Sequence, residues 1–280
     1  MTKITWLEAE QYFRQMEIAK TEYLPIVQVS EKAREARQDL VIKELPLTIF
    51  LNGEELVTLL CTPENLKNLA VGFLYSEGIL QSKEEIEKIA LDEEKGLLWI
   101  GVKGDKAFVK KLMFKRLITS SCGKGTTFYN VVDKISCRKV ESQTKISSQK
   151  VSGLMNRMQH QSQLYKATGG VHSAALCDDK NILIFSEDIG RHNAIDKIFG
   201  KCLLERIQTD DRIIITSGRI SSEILLKIAG RNIPVIISRS APTDLAVKLS
   251  GKLGITLIGF ARSRRMNIYT NDWRVSDNKA

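Results

Sequence analysis

Arg212-Ile213-Ile214-Ile215-Thr216-Ser217-Gly218-Arg219 passes within eight residues from an apolar run to a small polar turn. Three consecutive isoleucines form the pattern of a short buried strand. The sequence on either side repeats this rhythm. Strands are expected over 173–176 and 182–185, followed by a helix over 192–207. After the quoted run come a helix over 221–229 and a strand over 234–238. A helix then starts at Pro242 and runs to about residue 252, before a strand over 255–260. Strands alternating with helices of about 10–15 residues indicate an α/β layer on a largely parallel sheet. Ligands of such sheets bind beyond the carboxyl ends of the strands. That rule marks Ser217-Gly218-Arg219, Ser240-Ala241-Pro242 and the turn from Phe260 to Arg265 as candidate ligand loops. Backbone N–H groups at the helix start behind Ser217-Gly218-Arg219 would suit a phosphate.

The amino-terminal part reads differently. Residues 47–51 and 56–61 are strand patterns flanking Asn52-Gly53, a hairpin signal. Thr62-Pro63-Glu64 opens a helix, with Thr62 as N-cap and Pro63 at the first helical position. Its apolar stripe is Leu66, Leu69, Ala70, Phe73 and Leu74, and Gly78 can end it. Further strands are expected over 86–91 and 97–102. Trp6, Ala9, Phe13, Met16 and Ala19 recur near helical spacing, so residues 6–19 predict a short amphipathic helix. Residues 32–39 are charged with alternating sign, as in a solvated linker. The expected organisation is an N-terminal extension (1–38), a smaller α+β portion (39–115) and an α/β domain (116–280).

Composition narrows the class. The chain has 280 residues, 43% hydrophobic and 27% charged, which excludes collagen-like, low-complexity and fully disordered proteins. No apolar run approaches the roughly 20 residues of a membrane span. The first 30 residues hold Glu8, Glu10, Glu17 and Glu22 without an apolar block, so no secretory signal is expected and a cytoplasmic location is. The net charge of +9 is unevenly placed. Residues 1–120 carry 17 basic and 19 acidic side chains, whereas 121–280 carry 25 and 14. Such asymmetry points to an anionic partner.

Cys61, Cys122, Cys137, Cys177 and Cys202 are odd in number and include no C-x-x-C pair. Reduced thiols therefore fit better than a disulfide framework or a structural zinc site. Cys61 and Cys177 fall in strand patterns and Cys202 in a helical one, so burial is expected for all three. Cys122 is different. It lies in Thr119-Ser120-Ser121-Cys122-Gly123-Lys124-Gly125, a small flexible stretch that reads either as a turn with an incidental cysteine or as a loop whose lysine and free N–H groups favour thiolate. Cys137 is the second choice for a reactive thiol. The spacing of that loop is not a P-loop's. The chain also lacks the H-x-E and P-C-x-x-C pattern of a zinc deaminase.

Gly169-Gly170-Val171-His172 and Glu187-Asp188-Ile189-Gly190-Arg191-His192-Asn193 are polar turns beside strands, where function often resides. The plainer reading assigns Asp188 and Asn193 to capping and His192 to an ordinary hydrogen bond. His160 is expected at the surface. Phe260-Ala261-Arg262-Ser263-Arg264-Arg265 puts three arginines and an aromatic at a strand end. Guanidinium groups pair with phosphates in bidentate fashion and stack on purines, and the plainer alternative is a solvated basic turn.

In order, Glu44-Leu45-Pro46-Leu47, Asn52-Gly53, Thr62-Pro63-Glu64, Gly72-Phe73-Leu74 and Glu77-Gly78 are followed by Ser121-Cys122-Gly123 and Gly169-Gly170-Val171-His172. The segment from Glu187 to Lys197, Ser217-Gly218-Arg219, Ser240-Ala241-Pro242-Thr243 and Gly259-Phe260-Ala261-Arg262 complete the series. This ordered set resembles the formate dehydrogenase accessory sulfurtransferase family (FdhD) from about Glu44 to Thr270. The resemblance implies a larger cytidine deaminase-like α/β domain without zinc, beside the smaller α+β portion. It implies a sulfurtransferase that takes persulfide sulfur from a cysteine desulfurase on Cys122. The sulfur passes to the molybdenum cofactor in its bis(molybdopterin guanine dinucleotide) form, destined for formate dehydrogenase. The cofactor is bound as substrate, and no structural metal is expected. The family's cofactor-binding stretch matches Phe260, Ala261, Arg262, Ser263, Arg264 and Arg265. With that ligand, Arg219 is expected as a further phosphate contact, and His172, Arg191 and His192 are expected to shape the pocket. A homodimer is implied, whereas nucleic acid and membranes are not expected partners. Many members carry C-x-x-C at the reactive loop, but here Gly125 replaces the second cysteine. A persulfide on Cys122 then has no partner thiol three residues away. The alternatives are a cofactor-binding chaperone without sulfur transfer and an RNA-binding protein using the basic half.

Overall fold

The computed structural model describes residues 20–104, 139–263 and 265–277. The chain first forms β1 (Thr21–Val29), β2 (Arg34–Ile42), β3 (Leu45–Leu51), β4 (Glu54–Cys61), α1 (Leu66–Ser76), β5 (Ile86–Asp92) and β6 (Leu97–Val102). After residue 138 come β7 (Ile146–Ser147), α2 (Ser148–Gln161), α3 (Gln163–Thr168), β8 (His172–Cys177), β9 (Ile182–Asp188) and α4 (Arg191–Glu205). The remainder is β10 (Ile213–Thr216), α5 (Ser222–Ala229), β11 (Val235–Ser238), α6 (Asp244–Lys252), β12 (Thr256–Arg262), β13 (Arg265–Thr270) and β14 (Val275–Ser276). Among the described residues no helix is long and apolar enough to cross a membrane.

The amino-terminal strands make a four-stranded sheet in the order β4-β3-β6-β5. Asn52 and Gly53 both have positive φ, 51° and 86°, as a two-residue hairpin turn requires. Alternation on β3 sends Leu47, Ile49 and Leu51 to one core with Leu98 and Ile100 of β6, where Leu66, Leu69, Ala70 and Leu74 of α1 cover them. Thr62 is not the N-cap of α1. That place belongs to Asn65, and the Thr62 hydroxyl donates to the buried Asp188 carboxylate at 2.9 Å. A tertiary acceptor has taken the hydroxyl that local pattern assigned to capping. Residues 32–39 are no linker either. Most of them belong to β2, which pairs antiparallel with β1 from Thr21↔Ile42 to Val29↔Arg34. Their charges sit on an exposed ribbon, where solvation and strand pairing coexist.

The larger sheet has the order β13-β12-β11-β10-β8-β9. β10, β11 and β12 are parallel, but β8, β9 and β13 each join antiparallel, so the sheet is mixed and not largely parallel. Two tight hairpins cause this, because strands joined by a short turn can only run antiparallel. The Asp178 carboxylate accepts the N–H groups of Lys180 and Asn181, closing the β8–β9 turn. Ser263, at φ 51°, turns the chain between β12 and β13. One face of the sheet (Ala174, Leu176, Ile214, Ile236, Leu257) packs on α4, α5 and α6. The other (Ala175, Ile213, Ile215, Val235, Ile237) packs on Val151, Leu154, Met155 and Met158 of α2. The α/β expectation holds as a three-layer arrangement, with α2 and α3 as additions that the sequence reading left out.

The two sheets are joined where α1 crosses α4. A Cβ on Gly72 would stand 1.7 Å from the Asp196 carbonyl oxygen, and one on Gly200 would stand 1.8 Å from that of Asn68. The helices thus touch backbone to backbone, an approach that only hydrogen side chains allow.

Candidate functional site: a basic cleft at the rim of the mixed sheet

The mixed order brings the carboxyl ends of β9, β10, β11 and β12 and the start of β8 to one rim. A cleft of about 630 Å³ opens there. His172, Ser217, Arg239, Ser240 and Arg262 line it from the sheet, and Tyr165 and Lys166 of α3 line it from above. This volume lies within the range of small-molecule sites.

Each wall has a local cause. The Glu187 carboxylate accepts the backbone N–H groups of Leu164 and Tyr165, both at 3.2 Å, and so anchors the start of α3. Burial pushes the Glu187 carboxyl above its ordinary range, opposed by those same hydrogen bonds. The Arg262 Nε donates to the Arg239 carbonyl at 3.0 Å, which ties the end of β12 to the end of β11. The Ser238 hydroxyl donates to Gly218 O at 2.6 Å and accepts Ser240 N–H at 2.8 Å, fixing two adjacent turns. Gly218 is held close: a Cβ there would come 2.9 Å from Arg191 Cβ and 3.5 Å from His172 Nδ1. Burial lowers the His172 pKa, and the Arg191 charge lowers it further. Both influences favour the uncharged form of the His172 ring.

In the turn at residues 217–220 three backbone donors already have partners inside the protein. Ser217 N–H goes to Ser173 O and Ile220 N–H to Ala241 O. Gly218 N–H goes to the Thr216 hydroxyl. The cationic groups that line the cleft are the side chains of Lys166, Arg239 and Arg262.

The polar motif from Glu187 to Lys197 is mainly a structural knot. Asp188 and Lys197 form an ion pair at 2.7 Å with side chains that are 0% and 1% exposed. Asp188 Oδ2 also accepts the Thr62 N–H and hydroxyl, and Oδ1 accepts Gly190 N–H and Asn193 Nδ2. Lys197 Nζ donates to Thr62 Oγ1 at 2.7 Å. Asn193 Nδ2 reaches Leu60 O at 2.8 Å. His192 Nε2 lies 3.2 Å from Glu223 Oε2 on α5. The plainer reading of Asp188 and Asn193 as caps is corrected: α4 has Gly190 at its N-cap without a side-chain cap, and both side chains reach across to Thr62 and Leu60 beside the other sheet.

Of the expected site residues, His172 and Arg262 line the cleft. Arg191 and His192 stand behind it, at the start of α4. Arg219 and Ser263 are exposed on neighbouring turns, and Arg265 is exposed at the start of β13. Phe260 is 37% exposed and sits at φ 51° in a bulge of β12. Ala261 is a correction: it is 2% exposed and packs in the core under α2, so its side chain cannot meet a ligand. Cys122, Lys124, Cys137 and Arg264 lie outside the described residues. Arg239, Lys166 and Tyr165 were not expected. Arg239 directly precedes the marked turn Ser240-Ala241-Pro242, so its place was within reach of the strand-end rule.

Cys61, Cys177 and Cys202 are buried, and burial pushes each thiol up to about 12. Such thiols are almost wholly protonated near neutral pH and unreactive. An aromatic disulfide reagent should therefore modify no more than two of the five cysteines in the native protein, and all five after denaturation. Peptide mapping that finds native labelling at Cys61, Cys177 or Cys202 would contradict this.

Fold and cleft together make this a mixed α/β protein with a small-molecule-sized basic cleft at the rim of its sheet. The chain belongs to the FdhD/NarQ family, whose model matches residues 42–276. It is 44% identical over 241 residues to the sulfur carrier protein FdhD of Bacillus pumilus, covering 86% of this chain and 92% of that one. It is 40% identical over 255 residues to the sulfur carrier protein FdhD of Staphylococcus aureus strain MRSA252, covering 91% and 96%. A crystal structure from Desulfotalea psychrophila, described as a formate dehydrogenase accessory protein, matches with TM-score 0.74 at 24% identity. That match covers 92% of this chain and all of the other, and it shows the shared fold.

Proposed function

We propose that this protein is a cytoplasmic sulfur carrier serving formate dehydrogenase, with Cys122 as the carrying residue. A cysteine desulfurase supplies the sulfur, and the molybdenum cofactor, as bis(molybdopterin guanine dinucleotide), is the bound substrate that receives it. The names of the curated relatives support sulfur carriage. The observation that carries the substrate assignment is the cleft, where Lys166, Arg239 and Arg262 border a volume of nucleotide size. Guanidinium groups offer paired donors to phosphate oxygens, and an ammonium offers a point charge.

In the first step the Cys122 thiolate attacks the terminal sulfur of the donor persulfide. A Cys122 S–S bond forms, the donor S–S bond breaks, and the donor cysteine leaves as thiolate. Lys124 favours the attacking thiolate by charge. The buried state of Cys61, Cys177 and Cys202 leaves Cys122 and Cys137 to do this work. A second copy of the chain as partner belongs to the same proposal.

Intact-mass and peptide mapping after incubation with a desulfurase and cysteine test it. The wild-type chain should gain one sulfur atom on Cys122, and Cys122→Ala should gain none. A wild-type-like adduct on Cys122→Ala would overturn the assignment. Full activation of formate dehydrogenase by Cys122→Ala would favour a cofactor-binding chaperone instead.

A further inference from the structure

His172 Nδ1 lies 3.3 Å from Ser217 Oγ on the wall of the cleft. The same Oγ accepts the Ser173 backbone N–H at 2.9 Å, while Ser217 N–H returns to Ser173 O at 2.9 Å. Ser217 is thus pinned to the start of β8 by both its backbone and its side chain. A hydroxyl has one proton to donate. Among the described residues, the acceptor in reach of the Ser217 proton is His172 Nδ1. A neutral imidazole that accepts at Nδ1 carries its proton on Nε2. In the opposite tautomer Nδ1–H would donate to Oγ, and the Ser217 proton would have to turn away from His172 towards the cleft.

The surroundings favour a ring that stays neutral. Gly218 lets Arg191 close against the same wall, and a Cβ at 218 would strike Arg191 Cβ at 2.9 Å. Arg191 and His192 oppose protonation of the ring and Asp188 favours it, with burial the largest influence. With Nδ1 taken by Ser217, Nε2 is left to the cleft that His172 lines.

We infer that Ser217 is a positioning residue: it holds His172 as the Nε2–H tautomer, so that the ring presents one uncharged, directed donor to a phosphate oxygen of the ligand in the cleft. The target of that donor rests on the proposed nucleotide-bearing substrate, whereas the tautomer does not. Charge then comes from Lys166, Arg239 and Arg262, and direction from His172. An uncharged donor discriminates by geometry and keeps its strength across the neutral range of pH, unlike a protonated imidazole.

Long-range ¹H–¹⁵N spectra of the full-length ¹⁵N-labelled chain read the tautomer directly. The wild type should show His172 protonated at Nε2 and unprotonated at Nδ1. Ser217→Ala should give a tautomer mixture and weaken GDP binding about three- to tenfold, the size of one net hydrogen bond. Ser217→Thr, which keeps the hydroxyl, should restore both. Ser217→Ala also strips the Ser173 N–H of its acceptor, so melting is recorded alongside. If that variant fails to fold, the wild-type spectrum and Ser217→Thr still decide. An Nδ1–H tautomer in the wild type, or an unchanged tautomer in folded Ser217→Ala, overturns the inference. Absence of GDP binding by the wild type would overturn the nucleotide role of the cleft and the donor's target together, with the tautomer judged separately by its spectrum.

Discussion

Gly200→Ala is expected to cost about 3 kcal/mol or more of unfolding free energy, an overpacking penalty at the upper end of its range. The added methyl would lie 1.8 Å from Asn68 O, 2.7 Å from Asn68 C and 2.8 Å from Gly72 N. All three are backbone atoms of α1, so no side-chain rotation relieves the clash. Nor can the helix retreat easily. Leu69, Ala70 and Leu74 bind it to the four-stranded sheet, and Leu203 of α4 lies in the same core. Gly153 in α2 is the control, because a Cβ there meets nothing within 4 Å. Gly153→Ala should be neutral or stabilise by up to about 1 kcal/mol, through the lower entropy of the unfolded chain. Urea titrations of the two variants should therefore move in opposite directions. Equal midpoints for Gly200→Ala and wild type would refute the close crossing.

Lys197→Met should cost about 3–5 kcal/mol, because it strands a buried carboxylate. Asp188 is 0% exposed and its partners are all internal. Without Lys197, the Thr62 hydroxyl also loses the donor it accepts. The double variant Asp188→Asn, Lys197→Met removes both charges and should recover part of the loss. A full cycle with the two single variants measures the coupling. If Lys197→Met melts with the wild type, the pair is not the buried tie between Thr62 and β9 that the geometry describes.

Much of the α/β architecture could be read from runs such as Ile213-Ile214-Ile215 and from Asn52-Gly53, because buried strands and two-residue turns have strong local signatures. Strand direction could not. Whether β8 joins β10 parallel or antiparallel depends on the Asp178–Asn181 turn, whose carboxylate bonds are short-range but easily read as a loop of any shape. The helix α2 was legible and overlooked: Val151, Leu154, Met155 and Met158 follow a helical stripe inside a polar segment. Thr62 misled for the opposite reason, since its local pattern is sound but a carboxylate 126 residues away takes its hydroxyl. At the cleft, strand-end logic found the turns. It could not tell that the N–H groups of Ser217 and Ile220 are already bonded to Ser173 O and Ala241 O, because those bonds join residues far apart in the chain. Arg262 was found by its neighbours, and Ala261 was wrongly included by the same neighbourhood, since adjacent residues of a strand face opposite sides.

The tie between the sheets also bears on how this chain can vary. The contacts at Leu60, Thr62, Asn68, Gly72 and Ser76 are answered by Asn193, Asp188, Gly200, Asp196 and Lys197, so two short segments specify each other atom by atom. A chimera that drew residues 60–77 from one relative and 187–200 from another would mate surfaces that were never matched. The inheritable module is the pair of segments, although more than a hundred residues separate them in the chain.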